Sequence, residues 1–508
     1  MTVPAHSESM RTGLATALIS VWSGALLALT LTYASSASGK QAFATIGLVA
    51  LIGLSAVFTL WTRVFESATL FALSATLAVS IKYHPIFRAD HIGGAIGIQI
   101  TITHVLAVLL LLFYWVSQNE RKAWKISIDR PIALSFGVYF LLALFSTFGA
   151  KDIELGIFEL VTLVQSFLLF VFVANILTTR RRVALFVSGL LVGLALQSGV
   201  ALIQKQFPGR FNFQFAGGRQ DTEQADAQGN LDLPDQDLGT TMVQGQIERR
   251  PTGLLIHPNV LGLYLTLTIP LAVAVLLLAE SRWSQLLAGG ALALGVYALY
   301  LSLSRSAWAG TALALLMCAY LGHRLKLTFN WQQRLVIAVA CLAVAGIIAA
   351  KSSLILHRIT GTAGEAVDFR LNLDRAAVQM LEDHPFFGIG LNNFTGFIEQ
   401  YDTTGMSHYT QFPVHLLYLL EASETGILGG IAFLIFVAVT CIHGYRLSLL
   451  AHSLEYRVLG AFLVAGLIGF WFAETTGFVY RIPIVTTYVW CCLGLICALP
   501  KLESQVTA

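Results

Sequence analysis

The scarcity of charged residues limits the folds open to this chain more than any other feature of its sequence. Asp, Glu, Lys and Arg make up 12% of the 508 residues, whereas hydrophobic residues make up 56%. A soluble protein has roughly a quarter of its residues charged, because its surface must face water. Most of this chain must therefore face lipid, and the sequence predicts a polytopic membrane protein.

The net charge and the cysteines argue against other classes of protein. The formal net charge of +3 is too small over this length to form the basic surface that nucleic-acid binding needs. The six cysteines lie in apolar stretches, and none forms a CxxC pair. They indicate packing residues rather than disulfides or a zinc site.

The apolar segments predict an all-α, polytopic membrane helix bundle. A helix needs about 20 apolar residues to cross a bilayer, so about 12–14 transmembrane helices are expected. The candidate spans lie near residues 13–34, 42–60, 67–81, 95–117, 131–149, 156–177, 184–204, 258–279, 285–303, 306–322, 335–350, 426–444, 458–474 and 484–499. This pattern divides the chain into an N-terminal bundle (1–204), a first loop (205–257), central helices (258–350), a second, partly helical loop (351–412) and C-terminal helices (413–508).

Basic residues between the spans predict the orientation, because loops rich in Lys and Arg remain in the cytoplasm. In a fourteen-span arrangement four basic connections fall on the same side as both termini; they lie at residues 121–130, 180–182, 323–334 and 446–457. We therefore expect both termini in the cytoplasm and both long loops on the outer side. Loops of this length are usually functional, and within the second loop residues 369–381 have helical periodicity.

Arg305 stands in a tight connection between two apolar segments, followed by Trp308. Arg305 could be an anchor that extends to the membrane surface, with Trp308 in the interfacial aromatic belt. Alternatively, it could bind an anionic head group, since a guanidinium donates two parallel hydrogen bonds to phosphate.

After Arg250 the polar loop passes into an apolar run, and Gly253 and Pro258 interrupt this run. This segment could be a helix N-terminus capped by Asn259. It could instead be partly unwound, so that free backbone amides and Arg250 face a bound anion.

Three further candidates lie within the second loop or just after it. Arg370 and Arg375 belong to the helical stretch, where Asp374 is four residues from Arg370, a spacing typical of a surface ion pair. His415 precedes the next apolar helix and could be either a packed imidazole or a proton acceptor near neutral pH.

Other polar residues favour structural roles. Glu421 and Glu424 are expected to hold a helix bend before Gly426, and Arg481 is expected in a salt bridge beside Glu474 and Tyr480. The sequence Asp235-Gln236-Asp237 matches the DxD metal motif of many glycosyltransferases, but it lies in a generally hydrophilic run.

Four stretches together resemble the O-antigen ligase/polymerase superfamily. They are RPTGLLIHPNVLGLYL from Arg250, LSLSRSAWAG from Leu301, FRLNLDRAAVQMLEDHPFFGIGLNNF from Phe369 and PVHLLYLLEASETGILGG from Pro413. The last is similar to the family pattern H-[NSQ]-x9-G-x-x-G, with His415, Gly426 and Gly429 in register. Leu416 departs from the usual polar residue, and Asp374 stands where the family often has tryptophan.

The resemblance implies a bacterial inner-membrane enzyme that transfers a glycan from a polyprenyl diphosphate carrier to an acceptor hydroxyl at the periplasmic face, without a metal or other cofactor. By this resemblance Arg305, Arg370 and His415 are the expected catalytic residues. The residues expected to contact diphosphate or glycan are Arg250, Asn259, Arg375 and Tyr418. The expected partners are an undecaprenyl-diphosphate-linked oligosaccharide and the bilayer, with a flippase and a chain-length regulator as further proteins.

The acceptor is left open by these motifs. A polysaccharide polymerase is the leading interpretation, and the alternatives are an O-antigen ligase that uses lipid A–core and a protein O-oligosaccharyltransferase. A flippase or other transporter is the alternative from a different class. It would be expected to have paired ionisable residues at mid-membrane and repeated halves.

Overall fold

The computed structural model describes residues 62–88, 91–116, 126–207, 240–243, 246–327, 364–405 and 412–502. Within these ranges the chain forms thirteen α-helices: α1 (Thr62–Thr76), α2 (Ile102–Val116), α3 (Arg130–Phe148), α4 (Ile153–Ile176), α5 (Arg180–Gln206), α6 (Pro258–Leu278), α7 (Arg282–Leu301), α8 (Arg305–Arg324), α9 (Gly364–Asp383), α10 (Phe394–Tyr401), α11 (Leu417–Leu450), α12 (Leu454–Ala473) and α13 (Pro483–Ala498). Two antiparallel hairpins pair β1 (Lys82–Phe87) with β2 (Gly97–Thr101) and β3 (Thr240–Val243) with β4 (Gln246–Arg249).

The predicted all-α polytopic membrane fold is confirmed. Eight of the described helices are long and apolar enough to cross a membrane: α3, α4, α5, α6, α7, α11, α12 and α13, the last two with short 3-10 extensions. The predicted spans at 13–34, 42–60 and 335–350 lie outside the described residues, as do residues 208–239 of the first loop and 351–363 of the second.

One of the predicted spans is displaced along the chain, and another is shorter than expected. The segments at 67–81 and 95–117 correspond to α1 and α2, which have 15 residues each. Gly97–Thr101, expected to begin a span, is a strand instead. Its β-branched residues at alternating positions favour extended pairing with β1.

Polar residues determine where many of the helices begin. Asp129, Asp152, Thr179, Ser281 and Ser453 each precede a helix, and their side chains accept hydrogen bonds from backbone amides of its first turn. Such caps satisfy amides that lack a partner within the helix and contribute about 1 kcal/mol each.

The helices alternate in direction, so the bundle has two distinct ends. At one end the Asn175 side chain binds the backbone of Ser127, at 2.8 and 3.0 Å, and the Arg180 guanidinium lies over the ring of Tyr456. We call this the basic end, because Ser127, Arg180 and Tyr456 belong to the connections 126–130, 180–182 and 446–457, all of which contain basic residues. The beginnings of α4, α6, α8 and α11 lie at the opposite end.

The interior is packed around Trp490 of α13, which is fully buried. Its indole meets the ring of Phe136 edge-on, at a centroid distance of 4.8 Å, and stacks on Phe436 at 5.3 Å. Phe167 and Phe170 of α4 complete the cluster. Edge-to-face and offset-stacked rings are favourable arrangements, and here they join α3, α4, α11 and α13.

Candidate functional site

Arg305 is the first residue of α8, at the end of the bundle opposite the basic end. Ser302, Leu303 and Ser304 form the whole connection from α7, and Leu303 adopts a positive φ of 49°. The indole Nε1 of Trp308 donates to the Leu299 carbonyl at 2.8 Å and so closes the turn from its other side. This tight connection leaves the Arg305 side chain half-buried at the helix N-terminus.

The electrostatic environment of Arg305 is unfavourable for a cation. The N-terminus of a helix carries partial positive charge, which repels a guanidinium. The charge of Arg305 also lowers the pKa of Arg370, so the two guanidinium groups lie close enough to repel each other. Among the residues that the structure describes, no acidic side chain forms an ion pair with Arg305. An anionic ligand would relieve this repulsion.

Arg370 lies half-buried on α9. Burial lowers its pKa most, the charge of Arg305 lowers it further, and Asp374 acts in the opposite direction. Within the described part of the chain, however, no salt bridge of 4.0 Å or less joins Arg370 to Asp374. The surface ion pair suggested by their spacing is therefore not formed.

The helical periodicity of the second loop is confirmed by α9, which packs against the start of α11. Leu373, Ala377 and Met380 are buried on its inner face and share a core with Ile398 of α10 and Leu420 of α11. Because α9 lies on α11 in this way, Arg370 comes near the residues that precede α11.

His415 precedes α11 and packs between two aromatic rings. Its imidazole meets Phe478 edge-on at a centroid distance of 5.2 Å and Phe412 at 6.5 Å. Burial lowers the pKa of His415 to about 4, with a further contribution from the charge of Arg370. Its Nδ1 is buried without a hydrogen-bond partner among the described residues. The ring is thus both packed and neutral at pH 7, and a neutral imidazole can accept a proton.

Arg305, Arg370 and His415 therefore form one connected electrostatic group. The charge of Arg305 acts on Arg370, and that of Arg370 acts on His415. All three lie at the end of the bundle opposite the basic end, although they come from three separate parts of the sequence.

Arg250 and Asn259 bind each other. An Nη of Arg250 donates to Asn259 Oδ1 at 2.6 Å, and Nε donates to the Ser302 carbonyl at 2.7 Å. Arg250 thus ties the start of α6 to the turn before Arg305. The cap of α6 is His257, whose Nδ1 accepts from the Asn259 amide at 3.1 Å, so the interpretation of Asn259 as the cap was wrong.

Three backbone amides that follow Arg250 are not free to bind an anion. The amides of Thr252 and Gly253 donate to Gln204 Oε1 at 3.0 and 2.9 Å, and the Leu254 amide donates to Gln197 Oε1 at 2.7 Å. The expectation of an unwound anion-binding segment with free amides fails at these three positions, because two glutamines of α5 satisfy them.

The surroundings of Tyr418 and Arg375 differ from those of Arg305, Arg370 and His415. The Tyr418 hydroxyl donates to the Trp471 carbonyl at 2.5 Å, which joins α11 to α12. Arg375 is exposed on the outer face of α9. Asp235 and Asp237 of the DxD sequence lie outside the described residues.

The central part of the chain is similar to a known protein family. Residues 290–434 match the family model described as O-antigen ligase. The predicted family resemblance is thereby confirmed, and the matching segment contains Arg305, Arg370 and His415. No curated protein matches the chain. The match supports glycosyl transfer of the ligase or polymerase type by a membrane-embedded protein.

A buried ionic cluster connects this O-antigen-ligase-like segment to the rest of the chain. Arg481 lies 2.9 Å from Glu421, 2.8 Å from Glu424 and 3.3 Å from Glu159, and all four side chains are at most 3% exposed. Burial alone would lower the pKa of Arg481, but the three carboxylates together outweigh it and raise the pKa well above its ordinary value. Arg481 is in a salt bridge as expected, but its partners are these three residues, whereas Glu474 accepts the Tyr480 amide.

The sequence did not lead us to predict a role for Glu159, although its position within an apolar span is informative. It is a carboxylate within the predicted span at 156–177, and an ionisable residue inside a span generally has a partner or a function. The partner could not be chosen from the sequence alone, because Arg481 is far away along the chain.

The bend expected before Gly426 is present and is the place where the second loop docks. Gly426 has φ 78° and ψ 176° within α11, which leaves nearby carbonyls without helical partners. The amides of Ile389 and Gly390 donate to the Ser423 and Glu424 carbonyls, both at 3.0 Å. The turn that follows α9 is thereby held against α11.

Proposed function

We propose that the protein is a bacterial inner-membrane glycosyltransferase that polymerises a surface or exported polysaccharide. In this proposal it transfers glycan repeat units from undecaprenyl diphosphate at the periplasmic face of the membrane. The observation that carries the proposal is the placement of Arg305 and Arg370, two half-buried guanidinium groups, at the same end of the bundle, where the charge of Arg305 lowers the pKa of Arg370. The family match, which includes both residues, supports the same chemistry.

The two arginines suit a diphosphate leaving group. Each guanidinium can donate two parallel hydrogen bonds to phosphate oxygens. As the glycosidic bond breaks, the diphosphate oxygen keeps the electron pair, and two fixed cations stabilise the developing negative charge. In this mechanism the arginines perform the task for which many glycosyltransferases use a metal ion.

His415 is the proposed base for the acceptor. Its neutral imidazole takes the proton of an acceptor hydroxyl, while the hydroxyl oxygen attacks the sugar carbon and the diphosphate leaves from the opposite side, which gives inversion. Donor binding would assist this step, because an anion at Arg370 offsets the positive charge that lowers the pKa of His415.

The proposal is tested by glycan transfer from a lipid-linked repeat unit with purified protein in nanodiscs. Arg305→Ala and Arg370→Ala should each reduce the rate by on the order of 10²-fold or more, since each removes a group that stabilises transition-state charge. Arg324→Ala is the matched control, because Arg324 is exposed at the opposite end of α8, the helix that begins with Arg305. Equal rates for the three variants would refute the proposal.

An O-antigen ligase is the second candidate, favoured by the description of the matching family. A ligase and a polymerase share the donor chemistry and differ in the acceptor. Deletion of the gene separates them: loss of a polymerase leaves single repeat units on the acceptor, whereas loss of a ligase leaves bare lipid A–core and polymer on the carrier. A protein O-oligosaccharyltransferase would be recognised by loss of glycan from protein.

A flippase is the candidate from another class. The buried Arg481–Glu421–Glu424 cluster is the paired ionisable feature that a carrier would have. The Glu424 carboxylate, however, accepts the amides of Asn392 and Phe394, at 2.8 and 3.0 Å, which gives it a structural role. Repeat units trapped inside the cell after gene deletion would favour the flippase.

A further inference from the structure

Two exposed phenylalanines follow α9. Phe386 is 72% exposed and Phe387 is 55% exposed. The residues immediately before Pro385 are Glu382, Asp383 and His384, all of them exposed and polar. The chain thus changes from charged to strongly apolar within a few residues, at a position where water would have to hydrate two aromatic rings.

The turn that carries these rings is fixed against α11. The Ile427 amide donates to the Pro385 carbonyl at 2.9 Å. A Cβ built on Gly426 would lie 2.3 Å from the Phe386 carbonyl oxygen, so the two backbones are in direct contact. The exposure of the rings is therefore a property of the docked turn and does not depend on a free loop end.

The rings continue an apolar face of α11. Directly beyond the docking point, α11 exposes a stripe of large apolar side chains at helical spacing, each about half exposed: Ile427, Leu428, Ile431, Leu434 and Ile435. α11 is long and apolar enough to cross a membrane, and such a stripe on a spanning helix faces acyl chains. Phe386 and Phe387 lie at the end of this stripe.

We propose that Phe386 and Phe387 insert into the hydrocarbon of the bilayer and anchor the second loop in the membrane. The occupant of this surface is lipid, because the rings are continuous with the lipid-facing stripe of α11. Asp383 and His384 then mark the level of the polar head groups. This anchor holds the C-terminal end of α9 at the membrane surface and does not depend on the proposed reaction.

The test uses full-length protein in nanodiscs with a single environment-sensitive fluorophore. Phe386→Cys is labelled with NBD, and its quenching is compared between doxyl-labelled lipids and aqueous iodide. Gln379→Cys, on the exposed face of α9, is the water-exposed control, and Leu434→Cys is the lipid-exposed control. The cysteines of the described part of the chain are buried or half-buried, and the unsubstituted protein gives the background labelling.

We expect the label at 386 to lose fluorescence with doxyl lipids, as the label at 434 does, and to show blue-shifted emission relative to 379. Phe387→Cys provides an independent second position if the first variant is poorly folded. Quenching by iodide of the labels at 386 and 387 would overturn the proposal. Protection from both quenchers would also overturn it, because a protein partner or a second copy would then cover the rings.

Discussion

Arg481 and Glu424 form a salt bridge in the protein interior, with 2.8 Å between Nη2 and Oε2. The same Oε2 accepts the Asn392 amide, and Oε1 accepts the Phe394 amide. One carboxylate therefore connects the turn before α13 to the turn between α9 and α10. This relationship couples the C-terminal helices to the loop that carries Arg370.

Arg481→Met should strongly destabilise the protein, because it leaves Glu159, Glu421 and Glu424 buried together without their cation. Loss of one partner from a buried ion pair costs about 3–5 kcal/mol. The expected result is a large fall in Tm, measured by thermal unfolding in detergent. Arg88→Ala is the control, since its salt bridge with Asp152 is 37% and 30% exposed and exposed pairs contribute about 0–1 kcal/mol. Equal Tm values for the two variants would show that the cluster is not stabilising.

The pH dependence of transfer should follow His415. Burial and the Arg370 charge both favour the neutral imidazole and lower the pKa to about 4, so the base is already deprotonated at neutral pH. We expect a rate that is constant from about pH 6 to 8 and falls on acidification toward the His415 pKa.

Two variants test this assignment. Arg370→Gln removes a charge that lowers the His415 pKa, so the acid limb of the residual activity should move to higher pH. His415→Ala should abolish transfer while the protein level persists. An unchanged pH profile in Arg370→Gln, or full activity in His415→Ala, would remove His415 from the mechanism.

Gly426→Ala should loosen the docked turn. The residue has φ 78°, and a Cβ there would lie 2.3 Å from the Phe386 carbonyl oxygen. Strained backbone of this kind costs of order 1–3 kcal/mol, and the clash adds to it. We expect a lower Tm and faster proteolysis of the segment around 384–390. Gly137→Ala, in open space on α3, should leave the Tm unchanged or slightly raise it.

Transfer should persist in EDTA if arginines alone neutralise the diphosphate. The measurement is the rate of glycan transfer with and without chelator, followed by added Mg²⁺ or Mn²⁺. A strict requirement for either ion would contradict the proposed mechanism. It would favour a metal site at Asp235 and Asp237 of the first loop.

The sequence alone determined the class of protein and the identity of several important residues. In most of the described segments that reach spanning length, the apolar residues specify a helix, because a chain in lipid must satisfy its own backbone groups. The periodicity of residues 369–381 was sufficient to predict α9, and the motifs around Arg305 and His415 were sufficient for the family resemblance. These features are local, so they can be detected in short stretches of sequence.

Only the tertiary structure decided which charged residues meet. It showed that Arg250 is bound to Asn259 and Ser302 and that Arg481 pairs with Glu159, whereas the charge of Arg305 lowers the pKa of Arg370. The free energy of a charged side chain in the folded protein depends on its burial and on neighbours that are distant along the chain. That information exists only after the helices have packed.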